Sequence, residues 1–266
     1  MAVVNATPDS FYADSRKATH EEAIQAGLRA AAEGAAVVDV GGESTRPGAV
    51  PVAADEECER ILPVIAALGA RVDVPIAVDT YKAEVARAAV AAGAAIVNDV
   101  SGGLLDPAMA RTIAELGVPC VVGHLRGTPA TMQDAPSYAD APREVATELA
   151  LRIDALVAAG VRPELLLVDP GIGFGKRFAD NLALLDRLEE MHELGRPIVV
   201  GVSRKGFLGE IARRRGLPDA GPEDRLAASL AAAVLAAERG AVLVRAHDVL
   251  ATRRALAAAD AILHGI

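Results

Sequence analysis

The chain has 266 residues, 52% of them hydrophobic, with 3% aromatics, no tryptophan and a formal net charge of −9. That length suits one α/β barrel with an aliphatic core, and the acidic balance excludes nucleic acid as the main partner, because phosphate backbones require a basic face. The two cysteines, Cys58 and Cys120, have no metal-ligand spacing and fit free thiols in a reducing cytoplasm, while the start MAVVNATPDS lacks the features of a signal peptide and no apolar run is long enough to span a membrane. In chain order, eight short apolar runs read as strands: 2–6, 37–40, 76–78, 95–97, 119–122, 165–168, 198–202 and 242–244. They are continuous rather than alternating, as strands buried on both faces should be. Helical spacing of apolar residues falls between them, over 21–33, 56–68, 84–92, 143–159, 181–193, 223–239 and 249–262. Thr19-His-Glu-Glu22 reads as a capping box opening the first helix, and Gly34, Gly93, Gly117, Gly160, Gly195 and Gly240 each follow a helix, where a left-handed cap favours glycine.

Strand and helix alternating eight times predict a parallel sheet closed into a single-domain (β/α)8 TIM barrel. An open doubly wound sheet is the rival, but its G-x-G-x-x-G turn after the first strand is absent. Each strand is followed by polar side chains: Asn5; Glu43, Thr45 and Arg46; Asp79; Asn98 and Asp99; His124 and Arg126; Asp169; Ser203, Arg204 and Lys205; Arg245 and His247. In this fold the C-terminal rim of the strands is the catalytic one. One such residue is as often a turn or cap as a functional group, but capping alone is a poor account of eight in register. Of 27 basic residues only Lys17, Lys82, Lys176 and Lys205 are lysine, and the last three lie just after strands, where a compact ammonium suits a site better than a guanidinium.

Two subsites emerge. Asp79 and Asp169 end apolar strands, so each carboxylate needs a partner; with Asn98 they suit the edge of a planar heterocycle that offers N–H and amino donors. A metal centre is the rival, but the ligands are sparse, and His124 and His247 do not share a helical metal spacing. Thr45-Arg-Pro-Gly, Ser203-Arg-Lys and Arg245-Ala-His combine cations, hydroxyls and glycine-rich backbone, as phosphate or pyrophosphate binding wants. Arg245 and His247, two apart, are expected on one side of the last strand. Asn5 is a neutral oxygen ligand that could hold one Mg²⁺, which keeps waters and phosphate oxygens as its other ligands.

The residues Asn5-Ala-Thr-Pro-Asp-Ser-Phe11, Asp39-Val-Gly-Gly-Glu-Ser-Thr-Arg-Pro-Gly48, Val78-Asp-Thr-Tyr-Lys82, Asn98-Asp-Val-Ser-Gly102, His124-Leu-Arg-Gly-Thr-Pro129, Asp169-Pro-Gly-Ile-Gly-Phe-Gly-Lys176, Val202-Ser-Arg-Lys205 and Arg245-Ala-His-Asp-Val249 run the length of the chain. In this order they resemble the successive motifs of the dihydropteroate synthases. The resemblance implies condensation of 6-hydroxymethyl-7,8-dihydropterin pyrophosphate with p-aminobenzoate, giving dihydropteroate and pyrophosphate. It implies that Asp79, Asn98, Asp169 and Lys205 hold the pterin, near Phe174. It further implies that Thr45, Arg46, Arg245 and His247 hold pyrophosphate, and that Asn5 binds Mg²⁺. Phe11, Thr45, Arg46, Pro47 and the backbone at Gly206 would receive p-aminobenzoate. Asp79, Asp169, Lys205, Arg245 and His247 are the expected catalytic residues. A cytoplasmic homodimer open to sulfonamides goes with the resemblance.

The sequence departs from the family pattern in places. After Phe11 it reads Tyr-Ala-Asp14-Ser, so the loop aspartate is displaced and two glycines are missing; Gly123 replaces a usual methionine, and Gly206 a common serine. The alternatives are a pterin-binding paralogue without synthase activity and a methyltetrahydrofolate-dependent methyltransferase. The latter should lack the Ser-Thr-Arg-Pro and Ser-Arg-Lys motifs present here.

Overall fold

The computed structural model describes residues 1–7, 13–45, 48–219 and 221–265. Its eight strands are β1 (Ala2–Asn5), β2 (Val38–Gly41), β3 (Ile76–Asp79), β4 (Ile96–Asp99), β5 (Cys120–Gly123), β6 (Leu166–Asp169), β7 (Ile198–Gly201) and β8 (Ala241–Arg245). They pair in sequence order, each neighbour parallel. The two ends meet: Val3 N–H donates to Ala246 O at 3.0 Å and Ala246 N–H to Met1 O at 2.9 Å. That contact closes the sheet into the expected barrel.

Residue alternation sorts the two faces of each strand. Val38, Val40, Val78, Val97, Val122, Val168 and Val200 turn outward and join one core with helix residues such as Ile61, Ile65, Leu68, Val85, Leu149 and Leu184. The residues between them turn into the barrel. Near its N-terminal end these include Met1, Val37 and Ala77, a small apolar plug. At the other end the same alternation aims Asn5, Asp79, Asn98, Asp169 and Arg245 inward.

The helices are α1 (Ala13–Ala32), α2 (Ala54–Gly69), α3 (Ala83–Ala91), α4 (Met109–Leu116), α5 (Ala141–Ala158), α6 (Phe178–Asp186), α7 (Gly206–Arg214), α8 (Leu226–Glu238) and α9 (Val249–Asp260). All six glycines expected beyond helix ends have positive φ, Gly117 at 64° among them. Three expectations are corrected. α1 starts at Ala13, so Thr19–Glu22 lies within the helix and does not open it. The segment 181–193 is not one helix: α6 stops at Asp186 and a 3-10 stretch, Leu188–Leu194, follows. The segment 223–239 is likewise divided: a 3-10 stretch, Pro222–Arg225, precedes α8. Among the described residues no helix is long and apolar enough to cross a membrane.

Candidate active site

A cleft opens at the C-terminal mouth of the barrel. Asp79 from β3, Asn98 from β4, Asp169 from β6 and Arg245 from β8 converge on it, with Thr45 and Phe174 from the loops after β2 and β6. These were expected as site residues from the sequence, and the fold brings them together. Gly41 and Gly201 contribute inward positions without side chains; a Cβ on Gly41 would lie 3.4 Å from Asp79 Cβ, and one on Gly201 3.8 Å from Arg245 Cβ.

The charges are tightly arranged. Arg245 spans two carboxylates: its Nε donates to Asp39 Oδ2 at 2.5 Å and its Nη2 to Asp79 Oδ2. Burial alone would lower the guanidinium's affinity for its proton, but Asp39 and Asp79 hold it above the ordinary range. Burial pushes the Asp79 carboxyl up to about 6, although Arg245 pulls the other way. Burial likewise raises Asp169, against the pull of Lys205 and of the Gly171 N–H that donates to its Oδ1 at 2.7 Å. Lys205 is pushed down to about 8, burial outweighing Asp169. Its ammonium lies 4.3 Å from the centre of the Phe174 ring and donates to Ile172 O.

The remaining expected residues sit around this centre. Asn5 ends β1 on the exposed rim. Gly206 is exposed at the first position of α7, where a Cβ would meet nothing within 4 Å. β8 stops at Arg245, so His247 is not on the strand with it as expected. It lies in the following loop, exposed, with Nδ1 3.0 Å from Ser203 Oγ. Arg46, Pro47 and Phe11 fall outside the described residues.

Several rim residues turn out to be structural. Asp99 is buried and accepts from the N–H groups of Ser101 and Gly103 and the Ser101 hydroxyl, the turn-forming role an aspartate often has. Arg204, with the unusual φ of 58°, turns its guanidinium away from the mouth onto Asp248, at 2.9 and 2.7 Å. It is therefore not a cation of the anion subsite. Lys82 is also withdrawn: it is clamped between Glu43 and Glu57, and these carboxylates hold its ammonium above the usual range despite burial. Glu43 also accepts from Tyr81 Oη at 2.7 Å and from Val52 N–H at 3.3 Å, tying down the loop that carries Thr45. Under the cleft, Lys176 Nζ lies 3.0 Å from His124 Nδ1, whose Nε2 lies 3.0 Å from Glu148. Burial pushes His124 down to about 3, so its imidazole is neutral.

Two groups escaped the sequence. Asp39 lies inside the apolar run 37–40, and its acidity in mid-strand was the signal to follow. The Glu43–Lys82–Glu57 clamp joins residues 14 to 39 positions apart and has no local signature.

Comparison with known proteins adds an independent line. A family model described as pterin binding enzyme matches residues 1–247. The dihydropteroate synthase of Escherichia coli strain K12 is 43% identical over 99% of this chain and 91% of its own length. That of Mycobacterium leprae is 46% identical over 99% of this chain and 93% of its own. A solved Xanthomonas albilineans dihydropteroate synthase with 4-aminobenzoic acid superposes with a TM-score of 0.91 at 47% identity, covering 99% of this chain and 92% of that one.

Proposed function

The chain belongs to the dihydropteroate synthase family of pterin-binding enzymes, transferases of folate synthesis, and from that premise we propose how its residues divide the joining of 6-hydroxymethyl-7,8-dihydropterin pyrophosphate to p-aminobenzoate. The observation that carries the proposal is the convergence of two half-buried carboxylates and an amide on one cleft beside Arg245. Asp79, Asn98 and Asp169 accept the pterin's ring N–H and amino donors, and Lys205 donates to its acceptors, beside Phe174. Thr45, Arg46, Arg245 and His247 hold the pyrophosphate.

The C–O bond to pyrophosphate breaks and the leaving group takes the electron pair. Positive charge spreads into the electron-rich pterin, where Asp79 and Asp169 stabilise it. Arg245 and His247 stabilise the departing anion. The neutral arylamine then attacks the methylene carbon and loses its proton afterwards, so no strong general base is needed. Mg²⁺ would sit on Asn5; since no group of three acidic, histidine or cysteine ligands occurs among the described residues, pyrophosphate oxygens and water would complete its shell. Bound there, the ion supplies neutralisation of the leaving charge.

The p-aminobenzoate carboxylate rests on the N–H groups that open α7 at Gly206, with Phe11, Thr45 and Pro47 around the ring. Departure of pyrophosphate creates the electrophile, so p-aminobenzoate binds second, in competition with sulfonamides. A cytoplasmic location is part of the proposal, and the free thiols of Cys58 and Cys120 support it.

The test is pyrophosphate release with both substrates present, together with pterin affinity by calorimetry. The parent is expected to turn over; Asp79→Ala and Asp169→Ala are expected to lose both readouts, since removing a charged hydrogen-bond acceptor costs about 1.5–3 kcal/mol. Unchanged pterin affinity in both variants would sink the assignment.

A further inference from the structure

The proposed division of labour leaves Asp39 without a part, yet this carboxylate is 0% exposed inside the barrel. Its Oδ2 accepts from Arg245 Nε at 2.5 Å and from Asn98 Nδ2 at 3.1 Å. Its Oδ1 accepts a hydrogen bond from no described residue. Leaving a charged oxygen buried in that state is unfavourable, so an arrangement that supplies a donor is favoured.

Arg245 is the donor at hand. Its Nη2 rests on Asp79 Oδ2, an oxygen that the pterin's own donors need. The two demands on Asp79 conflict. A guanidinium is best matched by both oxygens of one carboxylate, through two parallel N–H···O bonds. Asp39 offers that match: one oxygen already holds Nε, and the other lies open on the same carboxylate.

We propose that Asp39 is a positioning residue that lets Arg245 change partners, Nη2 passing from Asp79 Oδ2 to Asp39 Oδ1 when the pterin arrives. Asp79 is thereby released to receive the ring donors. The guanidinium, now forked on Asp39 alone, stays at the mouth for the pyrophosphate. Arg245 thus occupies Asp79 in the empty enzyme and yields it on demand. The inference rests on the reading of Asp79 as a pterin acceptor.

A double-mutant cycle tests it. The probes are 6-hydroxymethylpterin, which carries no phosphate, and pyrophosphate with Mg²⁺, each measured by calorimetry on the parent, Asp39→Asn, Arg245→Ala and the double variant. Asp39→Asn is expected to weaken the pterin about tenfold, or 1.4 kcal/mol, because Arg245 can no longer leave Asp79. Arg245→Ala is expected to lose pyrophosphate. The double variant should bind pterin within about twofold of Arg245→Ala, since no arginine is left to hold aside. An equal loss from Asp39→Asn in both backgrounds, or no loss in either, overturns the proposal. Asp39→Glu keeps the fork and should hold pterin within about threefold of the parent; should Asp39→Asn fail to fold, a loss of about tenfold in Asp39→Glu overturns the idea by itself. Asp79→Ala run alongside separates the two readings. If it abolishes pterin binding while the cycle shows no coupling, only the inference about Asp39 fails; if it leaves binding intact, the reading of the site fails with it.

Discussion

Asp79 and Lys205 are drawn toward neutrality from opposite sides, to about 6 and about 8. The physical cause is shared: both charges sit where little water reaches them. An aspartate whose folded pKa is raised favours the fold when protonated. The penalty of ionising Asp79 therefore begins above the ordinary carboxylate range and is complete above about 6. In the proposed role as pterin acceptor Asp79 must nevertheless be ionised, and Lys205 as donor must be charged. The pH profile of kcat/KM is thus expected to fall below about 6 as Asp79 protonates and above about 8 as Lys205 loses its proton. In Lys205→Arg the alkaline limb should vanish, because a guanidinium stays charged there. A flat parent profile across this range would remove both residues from binding. Asp79 and Asp169 were legible in the sequence because each ends an apolar strand with an acid. Asp39 was not, because it interrupts a strand in the middle and its partner, Arg245, lies 206 residues away.

At the scale of elements, the loop after β2 is held by side chains rather than by a ladder. Glu43, 5% exposed, gathers Lys82, the Tyr81 hydroxyl and the Val52 N–H. Glu43→Gln weakens its bond to Lys82, which keeps Glu57, so the protein should fold with a loss of about 1–3 kcal/mol. Its effect should fall on p-aminobenzoate, whose KM is expected to rise about tenfold while pterin affinity stays within about twofold. Steady-state kinetics with calorimetry separate the two, and equal losses for both substrates would deny the loop a selective role. The strands were legible because a parallel barrel buries both faces of each, which leaves unbroken apolar runs. Boundaries slipped where tertiary contacts decide them. The Ser-Arg-Lys motif looked like two cations at one site, but the left-handed backbone at Arg204 sends its side chain to Asp248 and leaves Lys205 for the mouth. The N-terminus of α3 is similarly supported from a distance, by Asp106 accepting from Ala83 N–H at 2.7 Å.

For the whole molecule, eight repeats of one pattern made the architecture readable, because few folds accommodate so many parallel strands with helices between. Association is less legible. In α8 only Ser229 and Glu238 are polar, yet Leu235 is 46% exposed, and Ile262 and Leu263 after α9 are 82% and 53% exposed. We propose that a second copy covers these exposed apolar side chains. Sedimentation equilibrium should then report twice the 27.3 kDa chain, and Leu235→Glu should shift the population toward a single chain. A parent that sediments at 27.3 kDa would set the homodimer aside. The seam between β1 and β8 carries a consequence for how the protein is made. β1 is made long before β8, but its backbone finds its last partner only when Ala246 has emerged. Asp79 likewise waits for Arg245, the final residue of the final strand. From β1 until β8 is made, a nascent chain therefore carries an open edge and an incomplete mouth, a state in which exposed strands invite wrong pairing. Substrate capture and closure arrive together once β8 has emerged, so that a chain interrupted before Arg245 has neither.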